Sequence, residues 1–135
     1  SARALLEGLL VDQAITLTQP LVELATARDL RVLVIGGRAY AACWRQAAPG
    51  EFRSNVHLGG VTSPAELDKT TAKLAERAAE VIGLTTCGVD LIETSDGFAV
   101  LEVNGSPGIE GLEAATRLNV AGEMVASVVL DWRSC

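Results

Sequence analysis

The sequence predicts an α+β domain, an antiparallel β-sheet with helices packed on one face. Three observations carry that prediction. Leu30–Ile35 and Ala39–Gln46 are extended-type runs separated by Gly36-Gly37, the pattern of a hairpin. Gly88–Glu93 and Phe98–Asn104 repeat it around Thr94-Ser95-Asp96-Gly97. Between the two hairpins, Leu67, Thr71, Leu74, Ala78 and Val81 recur at helical spacing.

In chain order, Ala2 to about Leu10 carries a helical pattern, and Ile15–Thr18 is a short strand candidate that Pro20 ends or confines to an edge. The first hairpin follows. Ala47 to Thr62 is a loop with many polar groups, among them Glu51, Arg53, Ser54, Asn55 and His57. The central helix is expected over Ser63–Ile82. Ser63 and Glu66 match a capping box, Pro64 suits the first helical position, and Gly83 is a stop signal. After the second hairpin comes a Gly/Pro loop, Gly105–Gly111, then a short helical piece over Leu112–Thr116. A last helix runs from about Asn119 to Leu130.

Composition narrows the function. The 135 residues make one domain, and 49% hydrophobic content is ample for a packed core. A formal charge of −6 and only 4% aromatics disfavour nucleic-acid binding by basic patches or stacking platforms. No apolar run approaches the ~20 residues of a membrane span, and the first residues lack the features of a signal peptide. Three scattered cysteines without a C-x-x-C suggest a cytoplasmic protein with small buried thiols. His57 is the only histidine, which argues against a zinc hydrolase.

The second hairpin holds the informative residues. With its turn centred on Asp96, Thr94 faces Phe98, Ile92 faces Val100, Asp90 faces Glu102 and Gly88 faces Asn104. Alternation then groups Asp90, Glu102 and Asn104 on one face and Val89, Leu91, Leu101 and Val103 on the other. Opposed carboxylates repel unless a cation lies between them, and an all-oxygen donor set suits Mg²⁺ or Mn²⁺. A solvated polar face of a half-exposed sheet would show the same alternation. Arg31, Arg45 and Arg53 lie on or beside the first hairpin, and arginines with a hard cation are a usual setting for phosphoryl transfer. Surface salt bridges are the other use for such arginines, with Asp29 a candidate partner for Arg31.

These residues carry a family resemblance. Asp29-Leu30-Arg31, Arg45-Gln46-Ala47, Glu51-Phe52-Arg53-Ser54-Asn55-Val56-His57 with Gly59-Gly60, Gly88-Val89-Asp90-Leu91, and Leu101-Glu102-Val103-Asn104 with Ser106-Pro107-Gly108 occur in order. The chain resembles the C-terminal part of RimK-type ATP-grasp ligases, the ribosomal-protein glutamate ligases and their relatives, from about Gln19 to Leu130. The resemblance implies an ATP-grasp C-terminal subdomain occupying residues 1–135, with ATP and two Mg²⁺ or Mn²⁺ ions as cofactors. It implies Asp90, Glu102 and Asn104 as metal ligands, and Arg45 as the catalytic contact to phosphate and acyl-phosphate. Asp29, Arg53, Ser54 and Asn55 are implied as nucleotide-binding residues. The implied chemistry is carboxylate–amine ligation. A carboxylate attacks the γ-phosphate of ATP, and an amine, typically that of L-glutamate, displaces phosphate from the resulting acyl-phosphate.

The implied partners are a carboxylate acceptor, a protein C-terminus or a small molecule, and the amino acid. Family members also carry an upstream domain and a lid subdomain with a phosphate-binding lysine. Neither is present in this sequence, so the expectation is a fragment holding one wall of the active site. A non-catalytic ATP-grasp-like binding or assembly module is the alternative. An apolar face left bare by a missing half would favour homo-oligomers.

Overall fold

The structure, a computed structural model, describes residues 28–47 and 60–133. The helix expected over Ala2–Leu10, the strand expected at Ile15–Thr18 and the residues Arg53, Ser54, Asn55 and His57 of the expected loop lie outside the described residues.

β1 (Arg28–Ile35) and β2 (Arg38–Gln46) form the first hairpin. Its turn needs two consecutive left-handed residues, and Gly36 and Gly37 supply them at φ 57° and 74°. β3 is Val61–Pro64, α1 is Lys69–Ile82, β4 is Cys87–Thr94 and β5 is Gly97–Asn104. The short α2 (Glu110–Thr116) and the terminal α3 (Val120–Arg133) complete the described chain. The sheet order is β3-β2-β1-β4-β5, and every pairing is antiparallel. The two hairpins join through β1 and β4, which places the first hairpin's Arg31 directly beside the second hairpin's Asp90.

Alternation on β1 sorts the core into two layers. Leu30, Val32 and Val34 point to one face and pack with Val89, Leu91 and Cys87 under Ala75 and Ala79 of α1. Leu33 and Ile35 point to the other face and pack with Ala41 and Cys43 under Leu112 of α2 and Val120 of α3. The α+β antiparallel sheet is thus as expected, but its helices cover both faces rather than one. A central strand that is apolar at successive positions must be covered on both sides. The run Leu30 to Ile35 is broken only by Arg31, a pattern that already requires two layers.

The start of α1 differs from expectation. Ser63 and Pro64 are not the cap and first turn of a helix but the end of β3, where Trp44 pairs with Ser63 and Cys43 with Pro64. β3 is an edge strand, and proline is tolerated there because the missing N–H faces no neighbour. Asp68 caps the helix instead. Its Oδ1 accepts from the backbone N–H of Thr70 at 2.7 Å and of Thr71 at 2.9 Å. The Thr71 hydroxyl donates to Oδ2 at 2.7 Å. These bonds hold the Asp68 carboxyl below its ordinary pKa, the Thr71 N–H contributing most. Gly83 ends the helix in the left-handed region at φ 81°, as its position predicted.

Candidate active site

The second hairpin closes on a tighter turn than expected. Thr94 pairs with Gly97, Glu93 with Phe98 and Ile92 with Ala99, one residue out of the expected register. A bulge beside Asp90 and Leu91 then absorbs one residue of β5. Beyond it the register is the expected one, with Asp90 opposite Glu102 and Gly88 opposite Asn104. The bulge thus restores the pairing of Asp90 with Glu102 despite the tighter turn. Leu101, expected on the core face, is instead the bulged residue and is exposed.

Asp90 is buried, and both of its oxygens are engaged. Arg31 Nε donates to Oδ1 and Arg31 Nη2 to Oδ2, each at 2.7 Å. Arg45 Nη2 adds a third bond to Oδ2 at 2.7 Å. Arg45 also grips the buried Asp29 through both prongs, Nε to Oδ1 at 2.6 Å and Nη2 to Oδ2 at 2.8 Å. The result is a line of alternating charge across three strands, Arg31–Asp90–Arg45–Asp29. Burial lowers the Arg45 pKa, but the bonds to Asp29 and the charge of Asp90 outweigh it, so the guanidinium is held charged above its usual range.

Sequence adjacency suggested Asp29 with Arg31. The observed partners are cross-strand, Asp29 opposite Arg45 and Arg31 opposite Asp90. Directly opposed residues on adjacent strands are closer than residues two apart on one strand, so the cross-strand pairs form. Arg31 is one of the three arginines the sequence sets beside the carboxylates, but it is not among the site residues the resemblance implies. The signal was available in the period-two pattern of β1, where Asp29 and Arg31 share one face between core leucines and valines.

Glu102 lies opposite Asp90 and is exposed. Asn104 is turned toward its own loop, its Oδ1 accepting from the Ser106 N–H at 2.9 Å. That loop approaches the sheet closely. A Cβ on Gly88 would come within 2.9 Å of the Pro107 Cβ and 3.5 Å of Arg31 Nε. A side chain at position 88 would push Pro107 off the sheet, so the glycine sets how near the loop lies to the arginine.

The structure thus brings together Asp29, Arg45, Asp90 and Glu102, with Asn104 at the next ladder position on the same face. Among the described residues no three of the types His, Cys, Asp or Glu converge as a ready metal cage. The donor chemistry of Asp90, Glu102 and the Asn104 amide fits a hard divalent ion, and Asp90 is paired here with two guanidiniums.

Fold and motifs converge in the comparisons. The family model of the RimK-like ATP-grasp domain matches residues 1–128, and the chain belongs to that family. It is 46% identical over 124 residues to a protein of Rhodopirellula baltica named "Probable alpha-L-glutamate ligase", covering 92% of this chain and 31% of that protein. A protein of the same name from Thioalkalivibrio sulfidiphilus is 48% identical over 112 residues, covering 83% of this chain and 37% of the relative. The chain therefore spans about a third of the length of these relatives. Among solved structures, the ATP-grasp ligase PsnB complexed with a phosphomimetic variant of a minimal precursor, Mg and ADP matches with a TM-score of 0.64 at 24% identity. The match covers 80% of this chain and 33% of PsnB. The macrocyclase MdnC of Microcystis aeruginosa, bound with its precursor peptide MdnA, matches with a TM-score of 0.56 at 19% identity, covering 80% of this chain and 31% of MdnC. These likenesses establish the ATP-grasp fold of the subdomain.

Proposed function

We propose that this chain is the metal- and phosphate-binding wall of an ATP-dependent carboxylate–amine ligase that forms an amide through an acyl-phosphate. The observation that supports this best is the face shared by Asp90, Glu102, Arg31 and Arg45, in which carboxylates and guanidiniums meet on rigid strands. The names of the relatives support L-glutamate as the amine substrate. The peptide-bound structural neighbours suit a carboxylate acceptor on a peptide.

In this reading Asp90, Glu102 and Asn104 hold Mg²⁺ or Mn²⁺. Ions held there would screen the phosphate charge and polarise the γ-phosphate. Arg45 takes the transferring phosphoryl group, because a planar guanidinium matches two phosphate oxygens at once. Asp29 orients Arg45 through its two-pronged bond. Arg53, Ser54 and Asn55 complete the nucleotide and substrate loop. None of these groups acts as a covalent nucleophile; each positions or stabilises charge, the division of labour usual for phosphoryl transfer.

The test uses the polypeptide carrying this segment together with the rest of the family's length. ADP release should depend on Mg²⁺ and on both a carboxylate and an amine substrate. Glu102→Ala should lower turnover by at least about a hundredfold, several kcal/mol of barrier. Near-normal turnover in that variant would sink the metal assignment. A protein that binds peptide but never releases ADP would instead be a non-catalytic module.

A further inference from the structure

The ion pairs at Asp90 have a consequence for how the site loads. A carboxylate offers about four acceptor positions, and here Arg31 and Arg45 take three of them. Asp90 is also buried, so a divalent ion that joins it competes with two guanidiniums already in contact. Glu102, directly opposite and exposed, has no such partner among the described residues.

We propose that Arg31 and Arg45 are surrogate cations for the divalent ion: they hold Asp90 while the site is empty and exchange away from it when the ion binds. The exchange frees Arg31, and the side of Arg45 that faces Asp90, for an anion. It also turns the local charge from slightly negative to positive, which favours a polyphosphate. Ion and nucleotide are then coupled through Asp90, because each removes a competitor of the other. Arg31 is the control element of this exchange. Its two bonds go to Asp90, whereas Arg45 keeps Asp29 as a second anchor. This inference rests on the ATP-binding reading above and concerns the order and coupling of binding rather than the reaction.

The experiment is a Mn²⁺ titration of the nucleotide-free polypeptide carrying this segment together with the rest of the family's length, read by electron paramagnetic resonance, with Arg31→Gln beside the unmodified protein and folding checked by circular dichroism. The exchange predicts that Arg31→Gln binds Mn²⁺ about tenfold more tightly, within the usual range of coupled equilibria. A purely structural arginine would give the opposite, a weaker site. Unchanged or weaker Mn²⁺ affinity in the folded variant overturns the proposal and leaves the ligase reading standing. Should Arg31→Gln not fold, the arginine Nε–H resonances of the unmodified protein decide. Adding Mg²⁺ with ADP must shift the Arg31 and Arg45 signals together, and signals that bind ligand without moving overturn the exchange. Absence of Mn²⁺ binding to either protein, with or without ADP, overturns both the exchange and the ATP-binding reading.

Discussion

Arg31 and Asp90 stand opposite each other on the adjacent interior strands β1 and β4 and close a two-pronged ion pair, both bonds 2.7 Å long. The two side chains are 12% and 5% exposed, so water screens the pair weakly. It joins the two hairpins at the place where the ligation site is proposed. A buried pair of this kind adds little net stability over an apolar alternative, but removing one partner strands the other.

Asp90→Asn is therefore expected to destabilise the chain by about 3 kcal/mol, because Arg31 and Arg45 lose their shared anion. Urea unfolding should show a lower midpoint with an unchanged slope. A midpoint equal to the parent's would mean that water or another carboxylate replaces Asp90 without loss.

Gly88→Ala places a methyl group 2.9 Å from the Pro107 ring, a rigid neighbour that cannot swing aside. The expected loss is roughly 1–3 kcal/mol, the usual range for overpacking. Thermal unfolding measures it. The companion variant Pro107→Gly, combined with Gly88→Ala, should recover part of the loss if the clash is the cause.

Asp68→Ala should lower the thermal midpoint by uncapping α1. The pH dependence follows from the lowered carboxyl pKa. Its stabilisation is fully present above the ordinary aspartate value of about 3.9 and fades as pH falls through the lower folded value. The gap between the variant and the parent should thus be constant from neutral pH down to about 5 and shrink below about 4.

Cys43 lies beside Arg45 on β2 yet should be unreactive. Burial pushes its thiol up to about 11, against the lowering influence of Arg45 and Arg31. Cys87 is also raised by burial. At pH 8 both should resist a thiol reagent in the folded chain and react promptly in denaturant, read by mass spectrometry at those two positions. Rapid labelling of native Cys43 would show that the sheet opens at the site.

Much of this protein was legible in its sequence because its signals are local. Gly36-Gly37 permits one turn geometry, Gly83 stops a helix, and the alternation around Asp90 and Glu102 groups the carboxylates. Motif order alone placed the chain in its family. Three features were decided elsewhere. Ser63 and Pro64 carry a good capping pattern, yet pairing with Trp44 and Cys43 makes them strand, since a hydrogen-bonded neighbour outweighs local propensity. The bulge near Asp90 restores a register that the turn alone would have shifted. The choice of partners for Arg31 and Asp29 needed the antiparallel join of β1 with β2 and β4. Ion pairing depends on distances across strands, and those distances exist only once residues far apart in the chain have been brought side by side.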